Sequence, residues 1–116
     1  MPGVPIREIV VLAGADDDLQ KIFNQLEDRQ DGRGRVFMAE VDRQLGWLCD
    51  FAHIRPYYRE PFRKQRVPDT MIAIFYTSEP RGVMVHAILD LRQDPRAIYR
   101  RLFGRDPEGP ANTPEQ

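Results

Sequence analysis

Eight cationic side chains between residues 59 and 101 are the groups of this 116-residue chain best suited to chemistry: Arg59, Arg63, Lys64, Arg66, Arg92, Arg96, Arg100 and Arg101. Tyr57, Tyr58 and Tyr99 stand among them. A guanidinium is a planar fork that matches a phosphate or a carboxylate, and a phenol ring offers a face for stacking. The mixture suits a surface that meets an anionic partner, although a plain solvated basic face uses the same residues. No other strong chemical motif occurs. There is no glycine-rich phosphate loop, no cysteine pair and no histidine pair at ligand spacing, so neither a cofactor nor a metal is expected. His53 and His86 lie 33 positions apart on different elements. His86, inside an apolar run, reads as a packing residue, and Cys49 beside Leu48 reads the same way. No catalytic residue is assigned on this basis.

Charge is unevenly distributed along the sequence. Residues 1–54 hold six Lys/Arg against ten Asp/Glu, and residues 55–103 hold ten against five, although the net charge is only −1. Such a split points to one basic surface facing a polyanion or an acidic partner. The length suits one domain with one hydrophobic core. No apolar run approaches the roughly 20 residues that span a bilayer. The opening "MPGVPIREIVVLAG" lacks a basic n-region, so no secretory signal or membrane association is expected. A single cysteine suits a reducing, cytoplasmic setting.

The elements that must position the cations follow from periodicity. "REIVVLA" (7–13) is β-branched and reads as a first strand buried on both faces at its centre. Asp16, Asp17 and Asp18 read as a helix opening, since carboxylates there complement the free N–H groups. As a metal site they fit poorly, because consecutive helical positions point to different sides. A helix is expected over 19–27 (Leu19, Ile22, Phe23, Leu26), a glycine-containing loop over 28–35, and a second helix over 36–52 with Phe37, Val41, Leu45, Leu48 and Ala52 along one stripe. Met38 and Trp47 lie off that stripe. Gly46 inside the second helix suggests close approach to a neighbour, and Pro56 stops the helix. The two helices should form an antiparallel hairpin on one face of an antiparallel sheet.

"YYREPFRKQRVPD", broken by Pro61 and Pro68, predicts partial or edge pairing. "TMIAIFYTS" and "GVMVHAILDL" predict two strands around the turn "EPRG". Simple alternation puts Ile72, Ile74 and Tyr76 on one face and Met71, Ala73 and Phe75 on the other. It also groups Val83, Val85, Ala87 and Leu89 against Met84, His86 and Ile88. Both faces are then apolar; the helices should cover one, and a partner the other. In "RQDPRAIYRRLFG" (92–104), Asp94 can cap a short helix, Pro95 can begin it and Gly104 can end it. Arg96 and Arg100, four apart on that helix, should repel unless an anion lies against them. The proline-rich tail, 105–116, is expected to be disordered.

Element order and local wording resemble one family. Ile74-Phe75-Tyr76, the turn from Glu79 to Gly82, Val83-Met84-Val85, and Arg92-Gln93-Asp94-Pro95 resemble the "IFY" strand, short turn, V-x-V strand and "RRDP"-like box of the RelE/ParE superfamily of bacterial toxins. The ParE branch is the closer. The likeness spans about residues 6–104 and is specific over 66–102. It implies an α+β fold, with a first strand and a helical hairpin on a mostly antiparallel sheet. It also implies the toxin of a type II toxin–antitoxin (plasmid stabilisation) system, inhibiting growth and neutralised by a cognate antitoxin wrapping the hairpin and sheet. The implied target is DNA gyrase, bound without chemistry. The alternatives are RelE-like cleavage of ribosome-bound mRNA, which would make the protein an endoribonuclease, or an inactive toxin relic. Candidate target-binding residues are Arg59, Arg63, Arg66, Arg92, Arg96, Tyr99 and Arg100. A homodimer through the exposed apolar surface is compatible with this reading.

Overall fold

The first strand runs almost directly into the first helix. In the computed structural model, which describes residues 8–107, β1 (Glu8–Val11) is followed by α1 (Ala13–Arg29) with only Leu12 between them. Leu12 N–H donates to Val85 O (3.0 Å) and Leu12 O accepts from Asp16 N (3.0 Å), so one residue serves both the sheet and the helix. The helix therefore starts six positions before the expected 19. Of the acidic triplet only Asp16 lies in the first turn, where its charge suits the helix dipole, and no side chain caps the end. Asp18 has a different role, described below.

α1 and α2 (Arg33–Phe51) form the expected hairpin. Gly32, at φ 87°, makes the turn in a left-handed conformation that a side chain would disfavour. The orphan amides at the start of α2 are capped by the other helix. The Glu27 carboxylate accepts from Gly32 N (3.0 Å), Gly34 N (2.7 Å) and Arg35 N (3.2 Å), and these amides hold its pKa below the usual carboxylate value. Close helix approach occurs at Gly34, not Gly46. A Cβ on Gly34 would meet Phe23 at 2.7 Å, whereas one on Gly46 meets nothing within 4 Å. Gly34 was expected in the loop; it is instead buried in the first turn of α2.

A single 3-10 turn (Ala52–Ile54) leads past Pro56 to β2 (Tyr57–Arg59), β3 (Phe62–Arg66), β4 (Ile72–Glu79) and β5 (Gly82–Asp90). The five strands lie in the order β1-β5-β4-β3-β2. All pairings are antiparallel except β1 with β5. β2 is a three-residue edge strand, as its prolines predict. β1 is the other edge, so Ile9, Val10 and Val11 are half-buried and not enclosed on both faces as expected.

Both helices cover the same face. Leu19, Phe37, Val41, Leu48 and Ala52 pack with Ile74, Tyr76, Val83, Val85 and Ile88 in one core. Alternation in β4 is as expected. In β5 it breaks, because Phe75 pairs with Ala87 and Tyr76 with Val85, leaving His86 as an extra residue. This β-bulge shifts the pleat by one position. Val83 and Val85 therefore face the hairpin while Ala87 and Leu89 face away, and the expected single face of four residues does not exist.

The second face is not left to a partner. α3 (Pro95–Phe103) crosses it, and Ile98 packs with Ala73, Phe75, Ala87 and Leu89, flanked by Tyr58, Leu91 and Leu102. The ends of α3 follow the sequence closely. The Asp94 side chain accepts from Arg96 N (2.9 Å), Pro95 occupies the first turn, and Gly104 leaves at φ 73°. Most of the expected disordered tail, residues 108–116, lies outside the described residues, as do residues 1–7.

Candidate functional site

The eight cations expected to share one surface are distributed over distinct places, because strand alternation and the α3 crossing separate them. The densest group lies on the outer side of α3. Tyr99 and Phe103, four apart on the helix, stack with ring centroids 4.4 Å apart. Arg59, from the end of β2, places its guanidinium 5.6 Å from the Tyr99 ring. Arg105 lies 5.9 Å from Tyr99 and 5.8 Å from Phe103, and its Nη1 donates to the Tyr99 hydroxyl (3.3 Å). Exposed Arg96 and Arg100 complete the group. The expected repulsion between them is met within the chain, since Arg100 Nε donates to Asp106 (2.7 Å). Arg100, and more weakly Arg96, hold the Asp106 carboxyl below its ordinary pKa. Phe103, Arg105 and Asp106 were not singled out from sequence, although the Tyr99–Phe103 spacing signals the stack.

The aromatic array continues inward. Phe62 meets Phe103 and His86 edge-on, each at 5.0 Å. The bulged His86 reaches Thr77 (Nε2 to Oγ1, 3.0 Å), and the Thr77 hydroxyl donates to Glu79 (2.8 Å). With its one proton committed to Glu79, Thr77 accepts from His86 Nε2–H, which fixes the tautomer. Burial lowers the His86 pKa, opposed by the charge of Glu79. The packing role expected of His86 holds, with a polar partner added.

Arg63 lies on the opposite face, at the end of α2. Its guanidinium sits 4.0 Å from the Tyr57 ring, bonds the Tyr57 hydroxyl (2.9 Å) and donates to the Arg55 carbonyl. Arg55 in turn covers Trp47 at 4.7 Å, and Trp47 packs against Phe51 at 5.0 Å. Phe51, Ile54 and Tyr57 are exposed around it, so this is an apolar surface rimmed by cations. Beneath it the buried Tyr76 hydroxyl donates to Ala52 O (2.7 Å), and burial pushes its pKa up to about 12.

Arg66 and Arg92 belong to a third place, at the tip of the hairpin, with Arg29 and Arg33. Arg92 forms a two-pronged pair with Asp90 (3.0 and 2.7 Å) that holds the carboxyl below its ordinary pKa. Lys64 is half-buried opposite Phe75. Arg101 is structural. Both its terminal nitrogens donate to the Asp18 carboxylate at 2.8 Å, and Asp18 also accepts from Ile88 N (2.9 Å). That amide lies just past the end of β1, where no strand remains to pair it. Asp18 thus ends the sheet edge and ties α1 to α3. Gly14 leaves the space, since a Cβ there would lie 3.0 Å from Arg101.

No helix among the described residues is long and apolar enough to cross a membrane. No group of three His, Cys, Asp or Glu among them could hold a metal ion.

No protein-family model matches the chain, and no curated protein does. Among solved structures, one described as the chromosomal ParDE TA (toxin–antitoxin) system from P. aeruginosa superposes with a TM-score of 0.68. The match covers 75% of this chain and 98% of that one, at 12% sequence identity. The fold is therefore shared with that ParDE chain, as the sequence resemblance implied.

Proposed function

We propose that the protein is the toxin of a toxin–antitoxin pair, ParE-like, acting by binding DNA gyrase and neutralised by a cognate antitoxin. The observation behind this reading is the fold match over 98% of a ParDE chain, joined to the local resemblance at residues 66–102. The α3 surface is the target-binding face: Arg96, Tyr99 and Arg100 present cations and a ring from a helix fixed at both ends, and Arg59 joins them from the end of β2. The exposed apolar surface of Phe51, Ile54 and Tyr57 is where the antitoxin lies.

Binding without chemistry is favoured over RNA cleavage by the disposition of acids and bases. Metal-free cleavage needs a base and an acid beside the scissile phosphate. The carboxylates near the α3 arginines already have partners: Asp94 caps the helix and Asp106 pairs Arg100. His86 is tied to Thr77 beneath Phe62. The test is induced expression in bacteria, with gyrase supercoiling and ribosome-dependent mRNA cleavage assays on the purified protein. Growth arrest with loss of supercoiling, relieved in an Arg96→Ala/Arg100→Ala variant, is the expected result. mRNA cleavage abolished by His86→Gln would replace this reading with the RelE-like one. A harmless protein in all assays ends the toxin claim and leaves only the fold.

A further inference from the structure

Two arginines meet beyond the end of α2 without a counter-charge. Arg55 covers the Trp47 ring, and Arg63 lies over the Tyr57 ring while its Nη1 donates to the Arg55 carbonyl. Arg43, Arg92, Arg100 and Arg101 each pair with a carboxylate, but among the described residues neither Arg55 nor Arg63 does. The group beneath them cannot supply the charge. Tyr76 stands directly across from Arg63 on β4, and both arginines act on its hydroxyl. Burial nevertheless pushes its pKa up to about 12. At neutral pH it is an uncharged phenol whose proton is given to Ala52 O.

A second observation concerns one atom. Arg55 Nε is buried with no acceptor, alone among the buried side-chain nitrogens and oxygens of the described residues. Buried donors are nearly always paired, and one left unpaired is a standing cost. A water would take that bond and still leave two neighbouring cations uncompensated. An oxyanion answers both needs, because the Nε–Nη edge of a guanidinium matches two oxygens of a phosphate or carboxylate. Offering that edge takes Arg55 off Trp47. Arg63 stays as the fixed charge, held by the Arg55 carbonyl and by the Tyr57 hydroxyl (2.9 Å). Such preorganisation lowers the entropic cost of binding.

The surroundings narrow the ligand. Two guanidiniums favour a dianion over a single carboxylate. Phe51, packed on Trp47, and Tyr57, under Arg63, are both exposed, so a ring carried by the anion finds aromatic surface beside it. We propose that Arg55 and Arg63 form a binding site for the phosphate of a small aromatic phosphate monoester, with its ring against Phe51 and Tyr57. The site shares Phe51 and Tyr57 with the surface assigned above to the antitoxin, but it depends on no part of the toxin reading.

Trp47 is the only tryptophan in the chain, so its fluorescence in the purified full chain reports the departure of Arg55. The probes are phenyl phosphate, inorganic phosphate, benzoate and a short single-stranded oligonucleotide without a terminal phosphate, each against sodium chloride at equal ionic strength. Phenyl phosphate should change the emission saturably. Inorganic phosphate should bind roughly tenfold more weakly for want of the ring, and benzoate more weakly than phenyl phosphate for want of the second charge. Arg63→Gln should weaken phenyl phosphate by roughly tenfold or more. Should that variant fail to fold, as a thermal melt would show, Phe51→Ala must narrow the gap between the two phosphates and leave inorganic phosphate unchanged. The proposal is overturned if sodium chloride alone gives the same change, if benzoate binds as tightly as phenyl phosphate, or if binding ignores these substitutions. It is equally overturned if the oligonucleotide binds more tightly with the same dependence on Arg63, since a nucleic-acid backbone would then be the ligand.

Discussion

β4 and β5 present two faces built from alternating residues of the same strands, and the two faces are stabilised differently. On the hairpin side Ile74, Tyr76, Val83, Val85 and Ile88 meet residues from two long helices. On the α3 side the strands offer Ala73, Phe75, Ala87 and Leu89, met by one nine-residue helix whose only buried member is Ile98. The alanines allow α3 to lie close, but the apolar area buried there is smaller. The thicker layer gives the domain its stability. The thinner one carries Arg59, Arg96, Tyr99 and Arg100. Surfaces that must meet partners are commonly drawn from the less stable parts of a fold.

The contrast can be broken most severely on the hairpin side. Leu48 is fully buried, so Leu48→Ala should cost about 3–5 kcal/mol in urea unfolding, enough to unfold much of the protein at 37 °C. Ile98→Ala on the other face should cost about 2 kcal/mol, at the low end of the range for such truncations, because one wall of the cavity is a short helix able to settle inward. A loss on the α3 side equal to that of Leu48→Ala would show that the two layers contribute alike.

The Asp18–Arg101 pair joins the layers, so it reports on both. Asp18→Ala leaves the Ile88 amide without its acceptor and should cost about 1–2 kcal/mol, discounted because a third of the Arg101 side chain is exposed. Arg101→Ala should cost less, since Asp18 keeps the amide. Hydrogen exchange should then quicken in α3 and at Ile88 but not in α2; faster exchange throughout would mean that the pair does not act locally.

The smallest effect is the pH dependence of the bulge. The folded His86 pKa lies below 6.5 through burial, so the unfolded chain takes up the proton first. Its contribution to stability is complete above about pH 6.5 and declines as pH falls from there to the folded value. His86→Gln keeps a donor for Thr77 and should flatten the melting temperature over that interval. An unchanged profile would place the titration elsewhere.

Much of this architecture is legible in the sequence because it rests on local rules. The stripe of Phe37, Val41, Leu48 and Ala52 marks α2, and Asp94, Pro95 and Gly104 mark both ends of α3. The two prolines confine β2 to an edge, and alternation orients β4 correctly. Each needs only helical or strand periodicity and the backbone preferences of single residues. The cations were recognisable as a set for the same reason, since residue type alone makes them candidates.

Their grouping was decided by tertiary structure. One extra residue at His86 shifts the pleat of β5, and no periodicity in "GVMVHAILDL" announces it. The cap on α2 comes from Glu27 on the other helix, and the edge of β5 is completed by Asp18, 70 residues away in sequence. α3 covers the face that sequence left to a partner, because packing Ile98 on Ala87 and Leu89 is a long-range contact. Arg66 and Arg92 meet Arg29 and Arg33 only because the hairpin tip lies against the strand ends. Sequence determined which residues could form helices, strands and a basic surface, because those depend on neighbours along the chain. The folded chain decided which of them share a site, because proximity across the sheet depends on register and crossing, which no local pattern encodes.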